Sequence, residues 1–114
     1  MSRTIFEKII DGEINAEIVF ENSDVIAFKD INPQAPVHVL VIPRKKASRM
    51  SDLKEWNADD AGNFFKAVSL VASELGLDQD GYRVVINNGT NGGQEVEYLH
   101  AHILAGRQMK WPPG

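Results

Sequence analysis

The 114-residue chain has no cysteine, which excludes a disulfide framework and any thiolate metal site. It has no apolar run near the ~20 residues needed to cross a bilayer, so no membrane association is expected. It has no surplus of positive charge. The formal net charge is −4, so no general attraction to nucleic acid is expected and any affinity for phosphate must be local. It lacks the Gly-Lys-Ser/Thr ending of a Walker loop. Met1 to Glu7 holds one basic residue and an early acid, which does not fit a signal peptide. A cytoplasmic location is expected. Histidine is scarce, with three in the chain, and two of them stand two residues apart.

What is present describes a single domain over 1–114. Hydrophobic content of 43% and charged content of 25% suit an ordinary globular core without staples. Thr4 and Glu7 form a capping-box pattern for a short helix over about 5–11, with Gly12 as its stop. Ile18–Glu21 and Val25–Lys29 are β-rich runs around Asn22-Ser23-Asp24, a hairpin pattern. Asp30 to Pro36 is a turn-rich connection. Val37–Ile42 is a nearly all-apolar strand, expected to be buried on both faces. Arg44-Lys45-Lys46 with Arg49 reads as a solvated loop after that strand. Asn57 caps a helix over about 58–75 whose Phe64, Val68, Val71 and Leu75 follow helical spacing. Tyr82–Asn87 and Glu95–Ala105 are the remaining strands, and 106–114 is an irregular tail. The pattern is α+β: a five-stranded, mostly antiparallel sheet with two helices.

The chemistry concentrates in the last quarter. A glycine-rich loop, Asn88 to Gly93, leads into a segment of period two. Val96, Tyr98, His100, His102 and Leu104 share one face, while Glu97, Leu99, Ala101 and Ile103 share the other. Two strand rises put the His100 and His102 backbones ~6–7 Å apart, so both imidazoles can reach one phosphate-sized group. Imidazole serves as nucleophile, base or acid near neutral pH. Glycines let backbone N–H groups approach an anion. Spacing alone also allows a metal set of His38, His100 and His102.

The segment Gly92-Gly93-Gln94-Glu95-Val96-Glu97-Tyr98-Leu99-His100-Ala101-His102 resembles the motif of the histidine-triad (HIT) family. Within that family it looks like the branch of purine nucleoside phosphoramidases. Asp30-Ile31-Asn32-Pro33-Gln34-Ala35-Pro36-Val37-His38, the opening helix and the tail Gly106–Gly114 fit the same branch. The resemblance implies hydrolysis of adenosine or guanosine 5′-phosphoramidates through a nucleotidyl-histidine, without cofactor or metal. It implies His100 as nucleophile, His102 on the phosphate and leaving group, and His38 in support. It implies Asp30 on the ribose. Ile5, Phe6, Ile9, Phe28 and Ile31 would form the base slot, and Asn87, Gly93, Gln94 and Glu95 would lie around the phosphates. It also implies a homodimer with the sheet continued across it, and Trp111 of the tail near a site. The branch has histidine where this chain has Tyr98, and an aromatic residue where it has Glu97. Tyr98 raises the alternative reading, a purine-nucleotide-binding protein with weak or no turnover.

Overall fold

The computed structural model describes residues 3–114, so Met1 and Ser2 of the N-terminal reading lie outside the described residues. Helix α1 (Ile5–Ile10) starts with the expected capping box: Thr4 accepts from the Glu7 N–H, and Glu7 accepts from the Thr4 N–H. Strands β1 (Ile18–Glu21) and β2 (Val25–Lys29) fall where the sequence puts them. The Asn22 side chain accepts from the Asp24 and Val25 N–H groups and closes their turn. Strand β3 (Val37–Pro43) runs one residue past its expected end and is almost wholly buried. Helix α2 (Ala58–Glu74) is capped by Asn57, whose side chain accepts from the Asp60 N–H at 2.7 Å. Strand β4 is only Arg83–Val85, shorter than expected, and β5 is Ala101–Ala105.

The sheet order is β1-β2-β3-β5-β4, with every neighbouring pair antiparallel. Two further short helices were not evident in the sequence. A 3-10 turn spans Met50–Glu55, and α3 spans Gly89–Gly92. The first forms because Asp52 accepts from the Ser48 and Arg49 N–H groups. The second is four residues long with two glycines, which disfavour helix, and the loop around it holds it in place.

The sheet separates two apolar clusters. On one face Val25, Ala27, Val39, Val41, Ala101 and Ile103 pack under α2 with Phe64, Val68 and Val71. On the other, Ile26, Phe28, Leu40 and Ile42 pack with Phe6 and Ile9 of α1 and with Tyr98. Each fully buried apolar side chain of this size contributes ~1.5–3 kcal/mol. Leu40 lies opposite His102 and His38 opposite Leu104 in the β3–β5 register. His38 and His102 therefore project from the face that carries α1.

Candidate active site

The expected strand over Glu95–Ala105 is half right. The β3–β5 ladder ends at Val41 opposite Ala101. Before Ala101 the Leu99 N–H turns instead to the Ala47 carbonyl, and the Tyr98 N–H to the Val96 carbonyl. The alternation survives without the ladder. Tyr98 joins the α1-side cluster, Leu99 joins the α2-side cluster, and the His100 and His102 rings lie 5.0 Å apart.

Hydrogen bonds fix which nitrogen of each imidazole bears its proton. The Gln34 backbone N–H donates to His38 Nδ1 at 3.0 Å, so the His38 proton is on Nε2. That nitrogen faces His102 Nδ1 at 2.9 Å, and Asp30 Oδ2 lies 3.4 Å from it. His102 Nδ1 thus accepts, leaving the N–H of His102 on Nε2. His100 Nδ1 lies 2.7 Å from the Tyr98 carbonyl oxygen and can only donate there. The His100 lone pair is therefore on Nε2. No partner among the described residues holds that atom, and it is not sealed from solvent.

Burial holds both histidines neutral. It lowers His100 below the ordinary imidazole value, against a smaller raising effect from the Tyr98 carbonyl, Asp30 and Glu95. It lowers His102 further, with help from His100 and His38, to about 4. Burial pushes the Tyr98 phenol up to about 12, so its hydroxyl keeps its proton. That hydroxyl donates to the Pro43 carbonyl. Tyr98 therefore does not replace a bond between histidines.

The other sequence-derived residues divide. Phe6, Ile9 and Phe28 are core, with the Phe6 ring edge-on to His100 at 5.0 Å. Ile5 is exposed, and Ile31 is 98% exposed beside Asp30. Asp30 also accepts from the Asn32 N–H, which shapes its turn. Gln94 organises the glycine-rich loop: its side chain accepts from the Gly89 N–H and donates to the Ser48 and Val96 carbonyls. Its own N–H goes to Gly89, so it has no side-chain donor left for a phosphate. Gly93 ends α3 in the left-handed region, at φ 81°. Asn87 backs the loop: a Cβ added at Gly92 would meet its backbone at 3.6 Å. Glu95 is exposed, and Glu97 points away to Arg49 at 3.0 Å. Trp111 is 82% exposed. The tail is tied to both the site side and the outer strand, because Arg107 donates to the Gln34 carbonyl and Arg83 to the Lys110 carbonyl. Sequence reasoning missed Gln34 as an orienting residue, because it acts through its backbone N–H; its place four residues before His38 is the only trace. The basic cluster is a solvated loop as read: Arg44, Lys45, Lys46 and Arg49 each meet a carboxylate, on Glu21, Asp60, Glu7 and Glu97.

The metal-capable donors that converge are Asp30, His38 and His102, all within 4.8 Å of one another. His100 is not among them. Two nitrogens on a tetrahedral ion would sit about 3.3 Å apart with both lone pairs inward. Here His38 Nε2 carries a proton that His102 accepts, so the donor set fits a hydrogen-bonded pair and not a metal centre.

The chain and its fold are similar to known proteins. The chain is 48% identical over 115 residues to a "14 kDa zinc-binding protein" of Zea mays, covering 99% of this chain and 89% of that protein. It is 46% identical to the "Adenylylsulfatase HINT1" of Arabidopsis thaliana, covering 99% and 78%. A HIT family hydrolase from Legionella pneumophila superposes with a TM-score of 0.92 at 44% identity, covering 98% of this chain and all of that one. The HIT domain profile matches residues 11–109, and the chain belongs to the HIT domain family.

Proposed function

We propose that the chain is a hydrolase of purine nucleotide conjugates, acting on adenosine or guanosine 5′-phosphoramidates through a nucleotidyl-histidine. The observation that carries this reading is the Tyr98 carbonyl on His100 Nδ1. It holds the lone pair on Nε2, as a nucleophile requires. His100 Nε2 attacks the α-phosphorus and the P–N bond breaks. The departing nitrogen leaves as the amine, taking one proton from solvent. Water then cleaves the P–Nε2 bond and returns a proton. His102 stays neutral and donates its Nε2–H to the phosphate and leaving group, a fixed donor in a partly dry site. His38 and the Gln34 N–H keep that donor pointed outward. Asp30 accepts from ribose hydroxyls, and exposed Ile5 and Ile31 border the base.

The Zea mays relative is named for zinc; among the described residues of this chain the converging donors, Asp30, His38 and His102, fit a hydrogen-bonded pair better than a zinc site. The name of the Arabidopsis relative raises sulfate as a second leaving group at the same phosphorus. We also infer a homodimer formed along β4, an edge strand whose Val84 is exposed, as is Tyr82 just before it. Pairing there would continue the sheet and cover an edge that is otherwise a liability. It would also bring the tail with Trp111 toward the partner.

The test is hydrolysis of adenosine 5′-phosphoramidate and of adenylyl sulfate in a strong chelator, by the wild type and by His100→Ala. Turnover that falls by roughly 10⁴-fold in His100→Ala, with a transient nucleotidyl adduct on His100 by mass spectrometry, is the expected result. Tight binding of adenosine monophosphate with no turnover of either substrate would instead establish the binding-protein reading that Tyr98 raises.

A further inference from the structure

Tyr98 stands where the family motif carries its first histidine, and it does something a histidine at that position could not do in the same way. Its side chain is 1% exposed. Its phenol reaches across the α1-side cluster to the carbonyl of Pro43, the last residue of β3, at 2.5 Å. Its own carbonyl is the group that receives the His100 Nδ1–H. The backbone between these two bonds is outside the β3–β5 ladder, which ends at Ala101. No strand pairing therefore sets where that carbonyl points. The remaining local ties are the Tyr98 N–H on Val96, the Leu99 N–H on Ala47, and the edge-on Phe6 ring, which touches both Tyr98 and His100.

We propose that the Tyr98 hydroxyl is a positioning group for the nucleophile: by anchoring to Pro43 it holds the Tyr98 carbonyl on His100 Nδ1 and so keeps the His100 lone pair on Nε2. Tyr98 then supplies an anchor at the position where the family motif carries its first histidine. The phenol keeps its proton throughout the working pH range, because burial pushes it up to about 12. The groups charged or titratable around this unit are Glu7 and Asp11 near the phenol, and Asp30, Glu95 and His102 near the imidazole. Among the described residues none of their side chains bonds to the Pro43 or the Tyr98 carbonyl, so none stands in for the hydroxyl.

The role rests on His100 as the nucleophile, but its first readout does not need turnover. Long-range proton–nitrogen correlation on the full-length, ¹⁵N-histidine-labelled protein reports the tautomer of each imidazole. The wild type is expected to show His100 as a single Nδ1–H tautomer. Tyr98→Phe, which keeps the ring and removes the hydroxyl, is expected to show a mixture. Its kcat should fall about tenfold, as small misplacements of a reacting group do, with KM within about twofold. The acid limb of its kcat/KM profile should move to lower pH, because the raising effect of the carbonyl is weakened. Ile26→Val, which thins the same cluster away from His100, should lower Tm and leave the tautomer alone. A Tyr98→Phe protein with an unchanged His100 tautomer, or with kcat within twofold of wild type, overturns the proposal. So does a wild-type His100 with its proton on Nε2, a result that needs no variant to fold. A wild type that turns over no substrate, with a His100 tautomer that is single in the wild type and mixed in Tyr98→Phe, would reject the enzyme and support the anchor.

Discussion

At the scale of single residues, the three histidines differ only in what touches them, and that decides their roles. His100 keeps a free Nε2 because its other nitrogen is engaged by a carbonyl. His102 does not take a second proton easily, because burial disfavours its charged form and its Nδ1 lone pair already accepts a hydrogen bond from His38. The pH dependence follows. Protonation of His100 Nε2 would remove the proposed nucleophile, and burial places that event below the ordinary value near 6.5. The plateau of kcat/KM should therefore extend below pH 6.5 and fall only in more acid buffer; an acid limb centred at or above 6.5 would contradict this. The same direction acts on folding. The unfolded chain takes up protons on these histidines first, so their contribution to stability is complete above pH 6.5. It is lost as pH falls toward about 4, the His102 value. His100 and His102 were legible as a pair because period two does not depend on strand pairing. The tautomers were not legible, since they are set by main-chain groups of Gln34 and Tyr98 that no side-chain pattern records.

At the scale of elements, the sequence was most readable where local chemistry closes on itself. The Thr4–Glu7 box, the Asn22 turn and the Asn57 cap each need only neighbours within three residues. The Met50–Glu55 turn and α3 were missed because one hangs on a single Asp52 cap and the other on a Gln94 side chain five residues beyond Gly89. Two variants separate support from chemistry. Asn57→Ala removes a helix cap far from the histidines and should cost ~1 kcal/mol. Tm should drop by a few degrees, roughly 4 °C, with kcat/KM unchanged. Gly106→Ala has a different reach. Gly106 sits at φ +94°, and a Cβ there would meet Pro36 Cβ at 2.7 Å. The strain, of order 1–3 kcal/mol, falls on the loop that carries Gln34. Thermal melts and steady-state kinetics together should show both Tm and kcat reduced, and an unaffected kcat would detach that loop from catalysis.

At the scale of the whole molecule, five strands in the order β1-β2-β3-β5-β4 leave β4 as an edge with Val84 40% exposed. Val84→Lys places a charge on that edge. Sedimentation should then find a single chain for the variant against the dimer proposed for the wild type, and a wild type already monomeric would remove the proposed assembly. The sheet's order was not readable from the chain, because antiparallel neighbours far apart in sequence, such as β3 and β5, leave no local mark. The two-sided packing has a practical corollary for engineering. The α2 side and the histidine side share strand backbones but divide their side chains between separate clusters. A library confined to Phe64, Val68, Val71 and their sheet partners should yield proteins of longer shelf life with the same substrate preference. One confined to Ile5, Ile31 and their surroundings should explore new substrates on an unchanged chassis.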